Sequence, residues 1–220
     1  MKGTIIIPCL DSHEVVRRQL LWLDSWMKPF SKEWNLIIVD DGSSPKISIA
    51  SPTNFTVSVI HIPPHPEKWT QPRARNVGTK HTNTEFLLFT DIDHILTPEV
   101  LASANTFGGD KLRFFRKTGA LDVNGKLLTT KEDLIQFGAT ELTPRHREHL
   151  ATCVIRKTVQ DMIGGFNESF CGRYGPEDID YKNRYEKYAL NNKCKPSEIS
   201  SSVVYVFPNP KENYHPFHSR

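Results

Sequence analysis

The chain lacks the features that would mark an extracellular scaffold or a membrane protein. Its cysteines number 4, and Cys9, Cys153, Cys171 and Cys194 stand far apart with no CxxC pair. That excludes a disulfide scaffold, and reduced thiols in a cytosolic protein are the expected state. No apolar run approaches the ~20 residues that a membrane-spanning helix needs. Met1–Pro8 reads as a strand, too short for a signal-peptide apolar region and without a small-residue cleavage site. A charge excess is missing too. Lys+Arg 28 against Asp+Glu 25 gives a net charge of +3, too small to argue for a nucleic-acid partner. Internal repeats, low-complexity stretches and collagen-like periodicity are absent. The apolar share is only 38%, yet strand-like runs at Thr4–Ile7 and Leu36–Val39 exclude a disordered composition. A chain of 220 residues and 25.2 kDa suits one core better than two.

What is present is an alternation of buried strands and helices. Thr4–Pro8 is continuously β-branched and apolar, as in a strand covered on both faces. Asp11 or Ser12 can cap a helix to about Met27 that sets Val15, Val16, Leu20 and Leu23 on one face. Leu36–Val39 and Val57–Ile62 read as further strands, with a proline-rich loop at Pro63, Pro64 and Pro66. Arg73–His81 reads as a helix and Glu85–Thr90 as a fourth strand. Such an order predicts a parallel, helix-covered sheet. In the second half, Lys111–Lys117 and Lys126–Thr129 predict a hairpin around Asn124-Gly125. The first of these reads as an amphipathic strand, Phe inside and charge outside. Lys131–Arg147 reads as an irregular polar loop. His149–Ile155 is a strand, Arg156–Ile163 a short helix closed by Gly164-Gly165, Glu177–Ala189 a helix and Val203–Phe207 the last strand.

Ligands of open parallel sheets bind beyond the carboxyl ends of the strands. Three polar clusters follow apolar runs directly: Pro8-Cys9-Leu10-Asp11, Asp40-Asp41-Gly42-Ser43 and Asp91-Ile92-Asp93-His94. Carboxylates gathered at one edge repel and raise one another's pKa unless a cation holds them. A hard divalent ion with oxygen ligands is the economical solution. Taken singly, Asp40-Asp41-Gly42 is a plain turn and Asp91-Ile92-Asp93 a cap before Pro98-Glu99; the pair shifts the balance to a site. Arg73 and Arg75 open the helix between them. They pair with phosphate or carboxylate, or form a solvated basic turn.

Ile163–Arg184 is the most informative stretch. Glycines at 164, 165, 172 and 175 alternate with Phe166, Phe170 and Tyr174, and Glu177, Asp178 and Asp180 follow. Glu177 and Asp178 are read in two ways. They cap a helix, stabilised by its dipole by ~0.3–1 kcal/mol, or they meet a substrate, with Asp178 as general base and Tyr174 as a flat face for a sugar ring.

Together TIIIPCLDS (4–12), LIIVDDGSS (36–44), RARNVGTK (73–80), FLLFTDIDHILTPEVL (86–101) and IGGFNESFCGRYGPEDIDYKNR (163–184) resemble the GT-A glycosyltransferases. Within them the likeness is to family 2 and the related galactosyltransferase and GalNAc-transferase groups. The resemblance implies a Rossmann-like, mostly parallel sheet flanked by helices, with a small second antiparallel sheet. It implies one catalytic domain over 1–220, nucleotide-sugar-binding in 1–100 and acceptor-binding in 101–220. Pro8, Leu10 and Asp11 match the loop that touches base and ribose. Asp40 and Asp41 match the acidic pair at the uridine, with the uracil contact open between them. Arg75-Asn76 matches the family's Ala-Arg-Asn near the nucleotide, with Arg73 beside it. Asp91 and Asp93 match the DxD motif, Asp93 the stronger metal ligand and Asp91 nearer the ribose or sugar. Glu177-Asp178 faces the acceptor, with Asp178 as base, and Tyr174 stands where the galactosyltransferases carry a tryptophan. Relatives take a further metal ligand from beyond the last strand: His215 is the first candidate, His218 the second. Leu10-Asp11 replaces an aromatic-Asn pair, Pro176 a glycine, and Arg173 shifts the spacing, so donor sugar and acceptor stay open.

The implied activity is metal-dependent transfer from a nucleotide sugar, a UDP-hexose or UDP-N-acetylhexosamine. Mn²⁺ or Mg²⁺ is the implied cofactor and a glycan, lipid-linked or protein hydroxyl the acceptor. Inversion with an Asp base is expected, with retention open. The alternatives are a non-catalytic nucleotide-sugar or glycan-binding module and a sugar nucleotidyltransferase. The latter should carry a glycine-rich basic signature after the first strand, where Cys9-Leu10-Asp11-Ser12 stands instead. A soluble, cytoplasmic location is expected.

Overall fold

The β-branched runs form the centre of an eight-stranded sheet. The computed structural model describes residues 2–49, 53–67, 70–138, 148–195 and 197–208, apart from the side chains of His149 and Ala151. Its strands are β1 (Gly3–Cys9), β2 (Trp34–Asp40), β3 (Val57–His61), β4 (Phe86–Phe89), β5 (His94–Ile95), β6 (Lys111–Thr118), β7 (Ala120–Leu121), β8 (Leu127–Leu128), β9 (Glu148–Arg156) and β10 (Glu198–Val206). The helices are α1 (His13–Trp26), α2 (Gln71–Lys80), α3 (Pro98–Thr106), α4 (Lys131–Gln136), α5 (Lys157–Met162) and α6 (Pro176–Asn191). The sheet runs β3-β2-β1-β4-β9-β6-β10-β5, and β7 and β8 form a separate ribbon.

Strands β3, β2, β1 and β4 are mutually parallel. β9 pairs antiparallel with both β4 and β6, so β6 and its parallel neighbour β10 again point the same way as β1. Short β5 closes the edge antiparallel to β10. Parallel strands joined by helices leave all their carboxyl ends on one rim. The β1, β2 and β4 ends carry the three polar clusters.

Alternation in β1 explains why both faces are dry. Ile5, Ile7 and Cys9 join one core with Val15, Val16, Leu20 and Leu23 of α1 and Val100, Leu101 and Ala104 of α3. Ile6 faces the other way, into a core with Ala74 of α2, Val159 of α5 and Tyr181 and Tyr185 of α6. Each fully buried aliphatic side chain contributes ~1.5–3 kcal/mol, so a slip of one residue would exchange the two cores. Ser12 occupies the cap position of α1 without a side-chain cap bond; its hydroxyl donates to the Leu10 carbonyl at 2.7 Å.

The second half departs from the local pattern. β6 lies between β9 and β10 and leaves the hairpin to β7 and β8. The hairpin loop still uses Gly125 at φ 77, with Asp122 Oδ1 accepting from the Asn124 and Lys126 amides at 2.8 Å each. Lys131–Gln136 is helical because Thr130 Oγ1 caps it, accepting from the Asp133 amide at 3.1 Å. Charge is not all outside on β6. Lys111 is 3% exposed, with its ammonium 4.6 Å from the Tyr181 ring centre and 4.8 Å from that of Tyr185. No helix among the described residues is long and apolar enough to cross a membrane.

Candidate active site

At the end of β2, Asp40 is 1% exposed. Its Oδ1 accepts from the Ser43 amide at 3.0 Å, and its Oδ2 from the Ile47 amide at 2.9 Å and His61 Nδ1 at 2.8 Å. Burial pushes this carboxyl up, but those donors outweigh it and hold it below its ordinary value. Asp40 therefore folds its own loop. Gly42 sits there at φ +94, and a Cβ would come within 2.6 Å of Pro64 Cα. Ser43 ties this loop to the first: its Oγ accepts from the Asp11 amide at 2.8 Å, and Asp11 Oδ1 accepts from the Ser44 amide at 3.0 Å. Pro8 is buried and Leu10 half-buried at the same rim.

Asp41 is buried and pairs with Arg73 Nη1 at 3.4 Å. Its pKa is pushed up to about 7 by burial, against Arg73 and with help from Asp40. Arg73 also donates to the Pro63 carbonyl at 3.0 Å.

The turn after β4 is arranged differently. One ligand atom each from Asp91, Asp93 and His94 lies within 4.8 Å of the others. His94 is 2% exposed; its Nε2 is 3.9 Å from Asp93 Oδ1, and its Nδ1 is hydrogen-bonded to Thr152 Oγ1 of β9. Two carboxylates and an imidazole oriented by a hydroxyl suit a divalent cation. Phe207, just past β10, donates its amide to the Asp93 carbonyl at 3.0 Å. His215 and His218 lie outside the described residues.

α6 brings Glu177 and Asp178 to the same place. Gly175 precedes it at φ 100, a conformation that costs a side-chain residue ~1 kcal/mol or more, and Pro176 starts the helix at a position where no amide is needed. Glu177 is 1% exposed, whereas the Asp178 side chain is 18% exposed and is the member of the pair that meets the rim. Arg75 joins it to the DxD turn. The Arg75 side chain is fully buried; Nη2 reaches Asp91 Oδ1 at 2.6 Å and Nη1 reaches Asp178 Oδ1 at 2.9 Å. Gln71 Nε2 donates to the same Asp91 oxygen. Burial pushes Asp178 up and Asp91 adds to it; Arg75 opposes them, and the net direction is upward. Burial works against the Arg75 charge, but Asp91 and Asp178 raise its pKa overall. Tyr174 is 67% exposed. Desolvation and then Asp93, Asp91, Asp178 and Glu177 raise its phenol, which marks it as their neighbour.

Of the residues singled out in the sequence, Asp91, Asp93, Arg75, Asp178 and Tyr174 thus converge, while Asp41, Arg73, Asp11, Leu10 and Pro8 line the adjoining part of the rim. His94 is a ligand candidate that sequence reasoning passed over; its place directly after the DxD motif was the available signal. Asn76 was also missed as an organiser. Its Oδ1 accepts from the Phe166 amide, and its Nδ2 donates to the Phe166 carbonyl and Glu168 Oε1, each at 2.8 Å. This pins the glycine-rich segment to α2.

A family model described as glycosyltransferase-like family 2 matches residues 4–108. No curated protein matches the chain. Among solved structures, S. aureus TarS 1-349 in complex with UDP-GlcNAc is similar with a TM-score of 0.65 at 20% identity, over 100% of this chain and 62% of that one. S. aureus TarS is similar with a TM-score of 0.63 at 21% identity, over 94% and 36% respectively. The mannosyltransferase PcManGT from Pyrobaculum calidifontis, in complex with GDP-Man and Mn²⁺, gives 0.57 at 12% identity, over 98% and 59%. The chain therefore spans less than two thirds of the length of these structures. The fold they share with it is the expected GT-A type: a mostly parallel sheet flanked by helices, with a small separate antiparallel ribbon.

Proposed function

We propose that the chain is a metal-dependent glycosyltransferase that moves a hexose or N-acetylhexosamine from a UDP-sugar to an acceptor hydroxyl with inversion. The observation that carries this reading is the meeting of Asp91, Asp93 and His94 with Asp178 at one rim of the sheet. The match to a glycosyltransferase-like family over 4–108 supports it. The UDP-GlcNAc complex of TarS and the GDP-Man and Mn²⁺ complex of PcManGT support a nucleotide-sugar donor and a divalent ion.

In this reading Pro8, Leu10, Asp11, Asp41 and Arg73 face the nucleoside, and Asp40 holds their loop in shape. Asp91, Asp93 and His94 would hold Mn²⁺ or Mg²⁺. When bound, the ion supplies positive charge against the negative charge that grows on the departing diphosphate. Tyr174 covers the sugar. The acceptor oxygen forms its bond to the anomeric carbon as the carbon–oxygen bond to the diphosphate breaks, and the bonding pair leaves with UDP. Asp178 takes the hydroxyl proton. Arg75 occupies Oδ1, so Oδ2 is the receiving atom. A base adjusted upward by burial is better matched to neutral pH than an ordinary carboxylate. The division into a nucleotide-sugar half and an acceptor half within one catalytic domain belongs to the same proposal.

A panel of UDP- and GDP-sugars assayed for nucleotide release in Mn²⁺, with product configuration read by NMR, tests the reading. Release from a UDP-sugar and an inverted product are expected. No release from any donor would leave a binding module of the same fold, and a retained configuration would remove the base role of Asp178.

A further inference from the structure

Arg75 cannot act as a plain phosphate contact in the observed arrangement. Its side chain is fully buried, and both terminal nitrogens are engaged by carboxylates from different halves of the chain. The guanidinium plane is also fixed. It lies 4.8 Å from the Phe166 ring centre, Phe166 stacks on Tyr181 at 4.1 Å, and Asn76 holds the Phe166 amide and carbonyl. On the acidic side, Gln71 shares the Asp91 oxygen. A rigid fork with donors on two nitrogens spans two carboxylates in a way that a lysine point charge does not. We propose that Arg75 is a positioning residue whose single guanidinium sets the spacing between the donor-side carboxylate Asp91 and the acceptor-side carboxylate Asp178. This rests on the glycosyltransferase reading above and assigns Arg75 a role different from the nucleotide contact that family resemblance implies.

The consequence is that donor side and base are held as one unit. Asp178 is not anchored by α6 alone; Arg75 ties its Oδ1 to α2, the helix that also holds Asp91. Loosening that tie misaims Oδ2 without touching the nucleoside rim, and a displacement of ~1 Å in a reacting group is enough to cost about 100-fold in rate.

Arg75→Lys is the test, with UDP affinity measured by calorimetry in Mn²⁺ beside kcat and KM for the donor. The expected result is a kcat lower by about 100-fold, with UDP affinity and donor KM within about threefold. A UDP affinity lower by roughly 30-fold with kcat retained would make Arg75 a diphosphate ligand and overturn the proposal. A second measurement does not depend on turnover. In a double-mutant cycle of urea unfolding, Asp91→Asn and Asp178→Asn should be non-additive by at least about fivefold in the folding equilibrium constant. In an Arg75→Met background that coupling should vanish or change sign. Additivity within about twofold with Arg75 present overturns the bridge, and this cycle alone decides if Arg75→Met does not fold. If wild type releases no nucleotide from any sugar donor, the reading of function fails, while the cycle still judges Arg75.

Discussion

After β2, the buried Asp40 receives three protein donors, from Ser43, Ile47 and His61. After β4, Asp91, Asp93 and His94 cluster their ligand atoms, and Gln71 and Arg75 of α2 donate to Asp91. The two acidic turns occupy equivalent places at the ends of parallel strands. One carboxylate has become the core of its loop, and the other is held at the rim by residues that belong to the site. What separates them is who supplies the donors. Asp40 is closed in by two amides of its own loop and by His61 of β3, whereas Asp91 is held by two side chains of a neighbouring helix.

The largest expected effect concerns Asp178, the proposed base, which shares Arg75 with the second turn. Asp178→Asn should lower transfer by roughly 10²–10⁴, the usual worth of a general base, with Mn²⁺-dependent UDP affinity nearly unchanged. Equal loss of affinity would place Asp178 on the donor instead. The next pair breaks the comparison directly. Asp40→Ala should cost about 3 kcal/mol in urea unfolding, since it strands the amides of buried Ser43 and Ile47 and removes the partner of the partly exposed His61 imidazole. Asp93→Ala, at a side chain 22% exposed, should cost about 1 kcal/mol or less and lower Mn²⁺ affinity by at least roughly 10–100-fold. An exchange of these outcomes would mean that the two turns have been assigned the wrong way round.

The smallest effect sharpens the difference between Asp40 and its neighbour. Asp41 has its folded pKa raised from 3.8 to about 7, so the folded state holds a proton that the unfolded state has released. Its contribution to stability is present below about pH 4 and is lost as pH rises towards 7. The slope is at most about 1.4 kcal/mol per pH unit. Asp41→Asn should therefore unfold with a shallower fall in stability between pH 4 and 7 than wild type, and a parallel pair of curves would remove the raised pKa.

The parallel part of the fold was legible because Ile5–Ile7, Leu36–Val39 and Phe86–Phe89 are short, apolar and followed at once by turn residues. β6 was legible as a strand but not in its partners. Its neighbours β9 and β10 are distant in sequence, and the Asn124-Gly125 turn pointed to a local hairpin that β7 and β8 make instead. α4 was hidden because Lys131–Gln136 is polar and short; Thr130 was its only cap signal. In the site, the positions of Asp91, Asp93 and Asp178 followed from where strands and a helix end. The roles of Arg75 and Asn76 did not, since each depends on a contact across roughly 90 residues or more of sequence. Lys111 shows the same limit: alternation placed its charge outside, and packing placed it under Tyr181 and Tyr185.

The most direct measurement is nucleotide release by wild-type protein from its best UDP-sugar donor, first with Mn²⁺ and then with the ion removed by a chelator and restored. Release that needs the ion, stops on chelation and returns on restoration is the predicted result. Release at the same rate with and without a divalent ion would contradict the assignment of Asp91, Asp93 and His94 and the account built on it.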